Sequence, residues 1–485
     1  MKTLVLSPAG RRLEVAEGAA LRDVLFEAGV EFPCGGHGRC KACRVRVLRG
    51  YLEPKPEERL RLSDAELAQG WRLACRHAVD GDLELELAQW EMPVLSDRSA
   101  FAFTPRDGFA IAVDLGTTTI AAQLLDLSDG HVLAAETALN AQARHGADVL
   151  SRVEFALHGG QAELQRLIRE QIGEMVTRLN SSAATPVGRV VLVGNTVMHH
   201  LFCGLDVTPL ATHPFLPAHP GRVHLPADQF GPPAEFLPCI GGLVGADILA
   251  GIVATQLHEQ TKLSALIDLG TNGEVVVGTR DRLLCASTAA GPAFEGARIS
   301  QGIRAATGAI SEVALADGAL ACRVIGGGRP RGLCGSGLVD AVAAGLELGK
   351  IEPGGRLAEP LVLAGDVALD PHDVRELQLA KGAIAAGLRI LTERLGARLD
   401  DIEQLYLAGA FGNTISPARA HRIGLLRLPA ERVTPAGNTA LIGAKRALFE
   451  DAAAWDALAG RIAHVPLNED PAFADVFAEE MRFPN

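Results

Sequence analysis

The stretch Cys34-Gly35-Gly36-His37-Gly38-Arg39-Cys40-Lys41-Ala42-Cys43 places three thiols within ten residues, and a fourth thiol, Cys75, follows. An iron–sulfur cluster needs four thiolates that converge on one inorganic core. The intervening glycines let the backbone wrap such a core, because glycine reaches positive φ without a Cβ clash. We therefore predict a [2Fe–2S] centre that is held by Cys34, Cys40, Cys43 and Cys75.

The spacing of the thiols leaves other interpretations open. The plant-type ferredoxin spacing is C-x4-C-x2-C, whereas five residues separate Cys34 from Cys40 here. A structural zinc site prefers paired C-x2-4-C knuckles, which that gap does not match, and unrelated thiols are the remaining alternative. Disulfides are not expected in a chain with nine cysteines and no export signal.

Composition restricts the class of protein. The 58 acidic and 46 basic residues give a net charge of −12, so nucleic acid is not the expected partner. No apolar run approaches the roughly eighteen residues of a membrane span, and Pro8 interrupts the N-terminus too early for a signal peptide. We expect a cytoplasmic protein with no membrane partner. A chain of 485 residues suggests about three folding units.

The pattern of the first ninety residues predicts a small α+β domain. In order, it comprises a hairpin over 3–6 and 12–15, a helix over 19–28, the thiol loop, a strand over 44–48, a capping box at 63–66, Cys75 and a strand over 82–87. This order resembles that of β-grasp [2Fe–2S] ferredoxins. The resemblance implies a ferredoxin-type domain over residues 1–91, and residues 92–108, rich in Pro, Ser and Gly, are typical of a linker.

A duplicated turn dominates the rest of the chain. Both copies join two apolar strands through an Asp-x-Gly-Thr turn, in which glycine allows a close approach and successive N–H groups can bind an anion. The leading aspartate can hold Mg²⁺ through water. The candidate phosphate-binding residues are Asp114, Gly116, Thr117, Thr118 and Thr119 in the first copy, and Asp268, Gly270, Thr271, Asn272 and Gly273 in the second. We take Asp114, Asp268 and Glu274 as candidate catalytic residues.

A third element, the apolar strand and glycine-rich turn over Gln404–Asn413, follows these two turns. The order resembles that of the phosphate-1, phosphate-2 and adenosine motifs in the actin-like (ASKHA) ATPase superfamily. The resemblance implies a two-lobed α/β domain over 109–485 that binds Mg-ATP, with lobe I about 109–262 and 436–485, and lobe II about 263–435. It assigns the adenosine contact to Gly409, Ala410, Phe411, Gly412 and Asn413. The basic loop Gly326–Gly332 is either a solvated loop or a contact to phosphate or a partner.

The combination resembles the reductive activators of corrinoid enzymes, from the thiol loop through both turns to Leu407–Asn413. The resemblance implies ATP-dependent transfer of one electron from the cluster to Co(II) of a corrinoid protein or cobalamin-dependent methyltransferase, which regenerates Co(I), with electrons from an upstream reductase or ferredoxin. The linker is shorter than in several relatives, so we expect the cluster to swing or dock. A redox-regulated small-molecule kinase and a ferredoxin with a non-hydrolysing nucleotide-binding regulator remain alternatives, and a homodimer is left open.

Overall fold

A computed structural model describes residues 1–7, 10–30, 32, 34–41, 43–87, 101–146, 148–227, 231–270, 272–296, 298–316, 318–412 and 414–485. The first part of the predicted linker, Thr271 and Asn413 lie outside the described residues, as does the side chain of Ala410. Within the described residues, no helix combines the length and the apolar character that crossing a lipid bilayer requires.

The N-terminal part forms a five-stranded mixed sheet, with strands in the spatial order Arg11–Val15, Lys2–Ser7, Leu83–Leu87, Arg44–Arg49 and Trp71–Leu73. The alternating leucines of Lys2–Ser7 and Leu83–Leu87 pair in parallel and face the core. Helix Leu21–Glu27 buries Leu21 and Leu25 in the same core. Ser63 caps the helix Asp64–Ala68 through the predicted capping box. Two 3₁₀ turns, Pro56–Leu60 and Ala74–Arg76, complete this part.

The first lobe is built on a six-stranded sheet. Its strands follow the spatial order Val223–Leu225, Ala234–Phe236, Arg189–Val193, Phe109–Leu115, Thr119–Asp126 and Val132–Leu139. The accompanying helices and turns are Ala141–Arg144, Val149–Phe155, Ala156–Gly160, Gln161–Asn180, Thr196–Cys203, Thr208–Ala211, Ala246–Ala254, Leu257–Glu259 and, from the C-terminal part of the chain, Thr439–Ala447 and Ala452–Ala459. The long helix Gln161–Asn180 buries an apolar stripe of Leu164, Ile168 and Ile172 against the sheet, as its periodicity predicts.

The second lobe repeats the arrangement. Its six strands lie in the order Val433–Gly437, Gln404–Ala408, Ser264–Leu269, Gly273–Thr279, Arg282–Thr288 and Ile462–His464. Smaller sheets comprise Ala309–Ala316, Ala319–Val324 and Gly332–Leu333, and Leu361–Ala364 with Val367–Leu369. The helices and turns are Pro292–Glu295, Gly335–Glu347, Pro371–Arg394, Leu399–Asp401, Gly409–Gly412, Pro417–Arg422, Ala430–Arg432, Leu467–Glu469 and Phe473–Glu480.

The two lobes share one topology around the duplicated turn. In each, the strand before the turn pairs antiparallel with the strand after it, and a later strand lies parallel on its other side. In the first lobe that later strand is Arg189–Val193, and in the second it is Gln404–Ala408. The structure thus shows the two predicted hairpins and places both turns at the ends of central strands.

The C-terminal segment corrects the predicted extent of lobe I. Strand Ile462–His464 pairs in parallel with Arg282–Thr288 of the second sheet. Val465, Leu467 and Phe483 then fill the second core. Residues 462–485 therefore belong with lobe II, although all of 436–485 was predicted to belong to lobe I. The physical reason is the edge of the second sheet, which this strand covers.

Two helices cross at very short distance between the lobes. A Cβ added to Gly443 of helix Thr439–Ala447 would lie 2.3 Å from the carbonyl oxygen of Ala250 in helix Ala246–Ala254. Glycine is therefore required at this crossing. The close approach brings the N-terminal ends of the two helices to the cleft, where they contribute Asp247 and Asn438 to the site.

Candidate functional site

The four predicted cluster thiols lie together as two pairs. The side chains of Cys34 and Cys40 are hydrogen-bonded to each other, as are those of Cys43 and Cys75, and electrostatic interactions link the pairs. Among the described residues, no group of three or more His, Cys, Asp or Glu side chains is placed to hold a single metal ion. Two pairs of thiols match a two-iron core, in which each iron takes two thiolates, better than one mononuclear zinc.

Hydrogen bonds in the thiol loop favour the thiolate forms of Cys34 and Cys75. Gly35, Gly36 and Gly38 all adopt positive φ, and this wraps the loop around the thiols. The pKa of Cys34 is lowered to about 5, because Cys40 donates a hydrogen bond to its sulfur and loop N–H groups donate as well. The N–H of Gly38 donates to Cys75. These donors and the paired thiols fit a [2Fe–2S] cluster.

The other cysteines do not join this group. Cys239, Cys285 and Cys334 are buried, while Cys203 and Cys322 are half-buried. Burial raises the pKa of Cys203 to about 12, so it stays a neutral thiol. This agrees with the interpretation of these residues as small hydrophobic side chains.

The first phosphate turn is held by side chains from two distant segments. A Cβ on Gly116 would lie 2.4 Å from the carbonyl oxygen of Thr119, so this tight turn requires glycine. Asn195 Nδ2 donates to Thr117 Oγ1 at 2.8 Å. Asn140 Nδ2 donates to the carbonyl of Gly116 at 2.9 Å. These contacts fix the turn before any ligand binds.

The second phosphate turn is equally constrained. The N–H of Gly270 donates to the carbonyl oxygen of Asn272 at 3.1 Å. Thr288 Oγ1 donates to the carbonyl oxygen of Gly273 at 2.8 Å. A Cβ on Gly273 would approach Thr288 Oγ1 to 2.8 Å, so the neighbouring strand leaves no room for a side chain.

Four carboxyl groups converge between the two turns. Burial raises the pKa of Asp114 to about 6, although Asn438 Nδ2 donates to its Oδ2 at 2.9 Å. Burial, and then the charge of Asp114, raise the pKa of Asp268 to about 7. Burial and the charges of Asp268 and Asp114 raise the pKa of Asp247 to about 8. The pKa of Glu274 lies well above its usual value because of burial and the charges of Asp247 and Asp268.

This convergence concentrates negative charge where a bound cation would be most favourable. It brings together the three predicted catalytic residues, Asp114, Asp268 and Glu274. Ser287 Oγ donates to Glu274 Oε1 at 3.3 Å and orients that carboxyl group.

Two residues of the site, Asp247 and Asn438, were not predicted from the sequence. Asp247 opens helix Ala246–Ala254, and its N–H donates to the carbonyl oxygen of Gly194 at the end of a central strand. Its position as the one acidic residue in an otherwise apolar helix is the sequence feature that could have indicated a site residue. Asn438 caps helix Thr439–Ala447, and its position after strand Val433–Gly437 was the only hint.

The predicted adenosine element lies beside the second turn. Gly409 has φ +87°, and a Cβ there would lie 2.7 Å from Asp268 Oδ1. The ring of Phe411 stacks on Phe294 at 4.8 Å between centroids and is buried. Packing therefore occupies this ring, and a nucleotide base would have to use the backbone of Gly409–Gly412.

A cavity of about 960 Å³ joins the thiol loop to both phosphate turns. Cys34 and Cys40 line it on the ferredoxin side, and Thr118 and Asn272 line it on the lobe side. The structure therefore brings the cluster site and the two turns to one space.

Comparison with known proteins finds family profiles that match both the ferredoxin domain and the two lobes. The profile described as a 2Fe-2S iron-sulfur cluster binding domain matches residues 4–80, the RACo middle region matches 109–260, and the C-terminal domain of RACo, the ASKHA domain, matches 262–485. The corrinoid activation enzyme RamQ of Eubacterium limosum is 35% identical over 418 residues, which cover 77% of this chain and 70% of RamQ. The chain belongs to the family of corrinoid activation enzymes.

Two further similarities agree with this family. The [Co(II) methylated amine-specific corrinoid protein] reductase of Methanosarcina barkeri is 29% identical over 380 residues, covering 70% of each chain. A solved structure, the reductive activator for corrinoid,iron-sulfur protein, superimposes with a TM-score of 0.70 at 25% identity and covers 100% of this chain and 99% of that one. These matches confirm the fold predicted for this corrinoid activation enzyme: a [2Fe–2S] ferredoxin domain followed by an actin-like ASKHA domain.

Proposed function

We propose that this activator transfers one electron from a [2Fe–2S] cluster to Co(II) of a corrinoid protein in an ATP-dependent reaction, regenerating Co(I) for methyl transfer. The observation that carries the proposal is the single cavity shared by the cluster thiols and both phosphate turns. An electron carrier fused to a nucleotide clamp has a clear physical use, because ATP can make an otherwise unfavourable electron transfer proceed.

The energetic requirement is modest. For one electron, ~59 mV corresponds to a factor of ten, or ~1.4 kcal/mol. A deficit on the order of 100–200 mV would cost roughly 2–5 kcal/mol, which differential nucleotide affinity for two protein conformations can supply.

In this proposal Cys34, Cys40, Cys43 and Cys75 hold the cluster, which supplies a one-electron carrier when bound. The protein orients these thiols through the loop amides and buries Cys43 within the ferredoxin core. Cys34 and Cys40 face the cavity, so they mark the side from which an electron leaves.

Mg-ATP occupies the cleft between the lobes. The backbone and hydroxyl donors of Gly116–Thr119 and of Gly270–Gly273, Thr271 included, hold its phosphates, while the backbone of Gly409–Asn413 contacts adenosine. Asp114, Asp268 and Glu274 act in hydrolysis, together with Asp247. Among the described residues, no three of these carboxyl groups are placed to hold one ion, and in this proposal they hold Mg²⁺ largely through its water shell.

In this proposal, residues 1–91 are the electron carrier, 92–108 the linker and 109–485 the ATPase. Its partners are a corrinoid protein or cobalamin-dependent methyltransferase and an upstream reductase or ferredoxin that reloads the cluster. It is compatible with a monomer or a homodimer.

ATP turnover tests the proposal against its alternatives. The anaerobic protein is mixed with Mg-ATP and either a Co(II) corrinoid protein or a panel of small hydroxylated metabolites. We expect ATP hydrolysis to rise with the corrinoid protein alone. Stimulation by a metabolite would indicate a kinase, and binding without any turnover would indicate a regulatory nucleotide domain.

A further inference from the structure

The ferredoxin domain is seated on the first lobe by a mixed contact. Arg144, at the end of turn Ala141–Arg144, forms an ion pair with Glu27, and its guanidinium lies 4.9 Å from the ring centre of Phe26. Leu139 of the first-lobe sheet is buried in the ferredoxin core, and Ala143 packs against it. This contact combines apolar burial with a charged pair.

A second contact joins the ferredoxin domain to the other lobe. Arg331 forms an ion pair with Glu86 at 2.9 Å, and its Nη1 donates to the carbonyl oxygen of Leu87 at 3.4 Å. In return, Arg44 Nη2 donates to the carbonyl oxygen of Arg331 at 3.4 Å. The basic loop Gly326–Gly332 therefore contacts the electron-carrying domain rather than solvent alone.

The two contacts together orient the cluster. They span the cleft, with one on each lobe, and the thiol loop between them faces the cavity that Thr118 and Asn272 also line. Partly exposed ion pairs are individually weak, so the charged part of this docking is readily reversed. A relative movement of the lobes cannot preserve both contacts unchanged, since each arginine is fixed to a different lobe.

We infer that Arg144 and Arg331 are positioning residues that hold the ferredoxin domain across the two lobes, so that a nucleotide-dependent movement of the lobes changes where the cluster docks. The inference rests on the proposed function, because it takes the nucleotide to bind between the lobes. Movement of the lobes is thereby linked to the position of the cluster through the side chains of Arg144 and Arg331.

Charge reversal tests the two contacts in the full-length holoprotein. Arg331→Glu sets a carboxylate against Glu86, and Arg144→Glu sets one against Glu27. Both variants should enlarge the radius of gyration measured by small-angle X-ray scattering and speed hydrogen exchange in helix Leu21–Glu27 by about threefold or more. The double variant Arg144→Glu with Glu27→Arg should restore both values, with cluster absorbance unchanged throughout.

Two matched controls lie on the same lobes. Arg329→Glu is two residues from Arg331 but disturbs only an exposed pair with Asp366. Arg166→Glu disturbs exposed pairs within helix Gln161–Asn180. Both should behave as the unmodified protein. Scattering and exchange of Arg144→Glu and Arg331→Glu that match the controls would overturn the inference.

The nucleotide step is measured on the unmodified protein, with Mg-ATP binding followed by calorimetry on the same sample. Bound ATP should change hydrogen exchange in helix Leu21–Glu27 and strand Leu83–Leu87. If ATP binds and neither segment responds, the inference fails while the proposed function stands. If ATP does not bind, the proposed function fails, and with it the nucleotide-dependent part of the inference.

Discussion

The side-chain amide of Asn438 donates a hydrogen bond to Asp114 Oδ2 at 2.9 Å, while Asn438 Oδ1 accepts one from the N–H of Leu441 at 2.9 Å. A single side chain thus caps the helix Thr439–Ala447 and orients the leading aspartate of the first phosphate turn. Through Asn438, one of the two crossing helices therefore contacts a carboxyl group of the cleft directly.

Replacing Asn438 should weaken both functions. Asn438→Ala removes the helix cap, which costs about 1 kcal/mol of unfolding free energy, and leaves the Asp114 carboxylate without its donor. We expect Mg-ATP affinity to fall by about tenfold, consistent with a hydrogen bond to a charged group. Chemical denaturation and calorimetry measure the two effects.

Asp451→Ala is the matched control, because Asp451 caps helix Ala452–Ala459 and accepts from the N–H of Ala453 at 3.1 Å. It should lose similar stability and keep its nucleotide affinity. Equal nucleotide affinity in both variants would show that the contact with Asp114 has no role in binding.

Loss of one cluster thiol should not affect the nucleotide cleft. Cys40→Ser removes the partner of Cys34, so iron and acid-labile sulfide per chain should fall to background and the visible absorbance should vanish. ATP binding should remain near normal, because the cleft carboxyl groups belong to the lobes. Cys322→Ser, which changes a half-buried thiol in the second lobe, should retain the full cluster. A variant Cys40→Ser with intact cluster absorbance would contradict the ligand assignment.

For the second phosphate turn we expect the reverse result, in which nucleotide binding or turnover is impaired and the cluster is retained. Asp268→Asn preserves the shape of the side chain but removes a charge from the carboxyl group at the cleft centre. Mg-ATP affinity or turnover should fall at least about tenfold, while cluster absorbance stays intact. Asp366→Asn, at an exposed site in the same lobe, serves as the control. Unchanged nucleotide binding and turnover in Asp268→Asn would remove Asp268 from the site.

The raised pKa values predict how stability depends on pH without nucleotide. Asp114, Asp268 and Asp247 bind protons more tightly in the folded state than in the unfolded chain, where the aspartate pKa is near 4. Between about pH 4 and pH 8 the folded state therefore holds more protons. The free energy of unfolding should fall as pH rises through this range, because deprotonation favours the unfolded chain.

Asp247→Asn should flatten this decline and stabilise the protein at pH 8, with about 1.4 kcal/mol per unit of pKa shift as the upper limit. Urea denaturation of the nucleotide-free protein at pH 5 and pH 8 measures the slope. Asp281→Asn, on an exposed turn, should leave it unchanged. A decline in Asp247→Asn as steep as in the unmodified protein would contradict the mutual repulsion within the cleft.

Local motifs made much of this molecule predictable. The thiol loop, the capping box at Ser63 and both Asp-x-Gly-Thr turns lie within short segments, so spacing and residue type alone indicate their geometry. The duplication of the turn also predicted two lobes of the same topology. In the structure, residues that were predicted from these separate motifs lie together, as the paired thiols and the carboxyl groups of the cleft show.

Contacts between distant segments could not be predicted in this way. Asn438 reaches Asp114 across 324 positions, and Arg331 reaches the ferredoxin domain across 244. Strand Ile462–His464 is short, and its pairing with Arg282–Thr288 is visible only once the second sheet presents an edge. Such relationships depend on packing, which single-sequence patterns do not encode.

The most direct test follows the cobalt spectrum under anaerobic conditions. The reduced protein is mixed with a Co(II) corrinoid protein, with or without Mg-ATP, and Asp268→Asn is run in parallel. The account predicts that Co(I) forms faster with Mg-ATP in the unmodified protein and that this gain disappears in the variant. Co(I) formation at the same rate with and without Mg-ATP would contradict it.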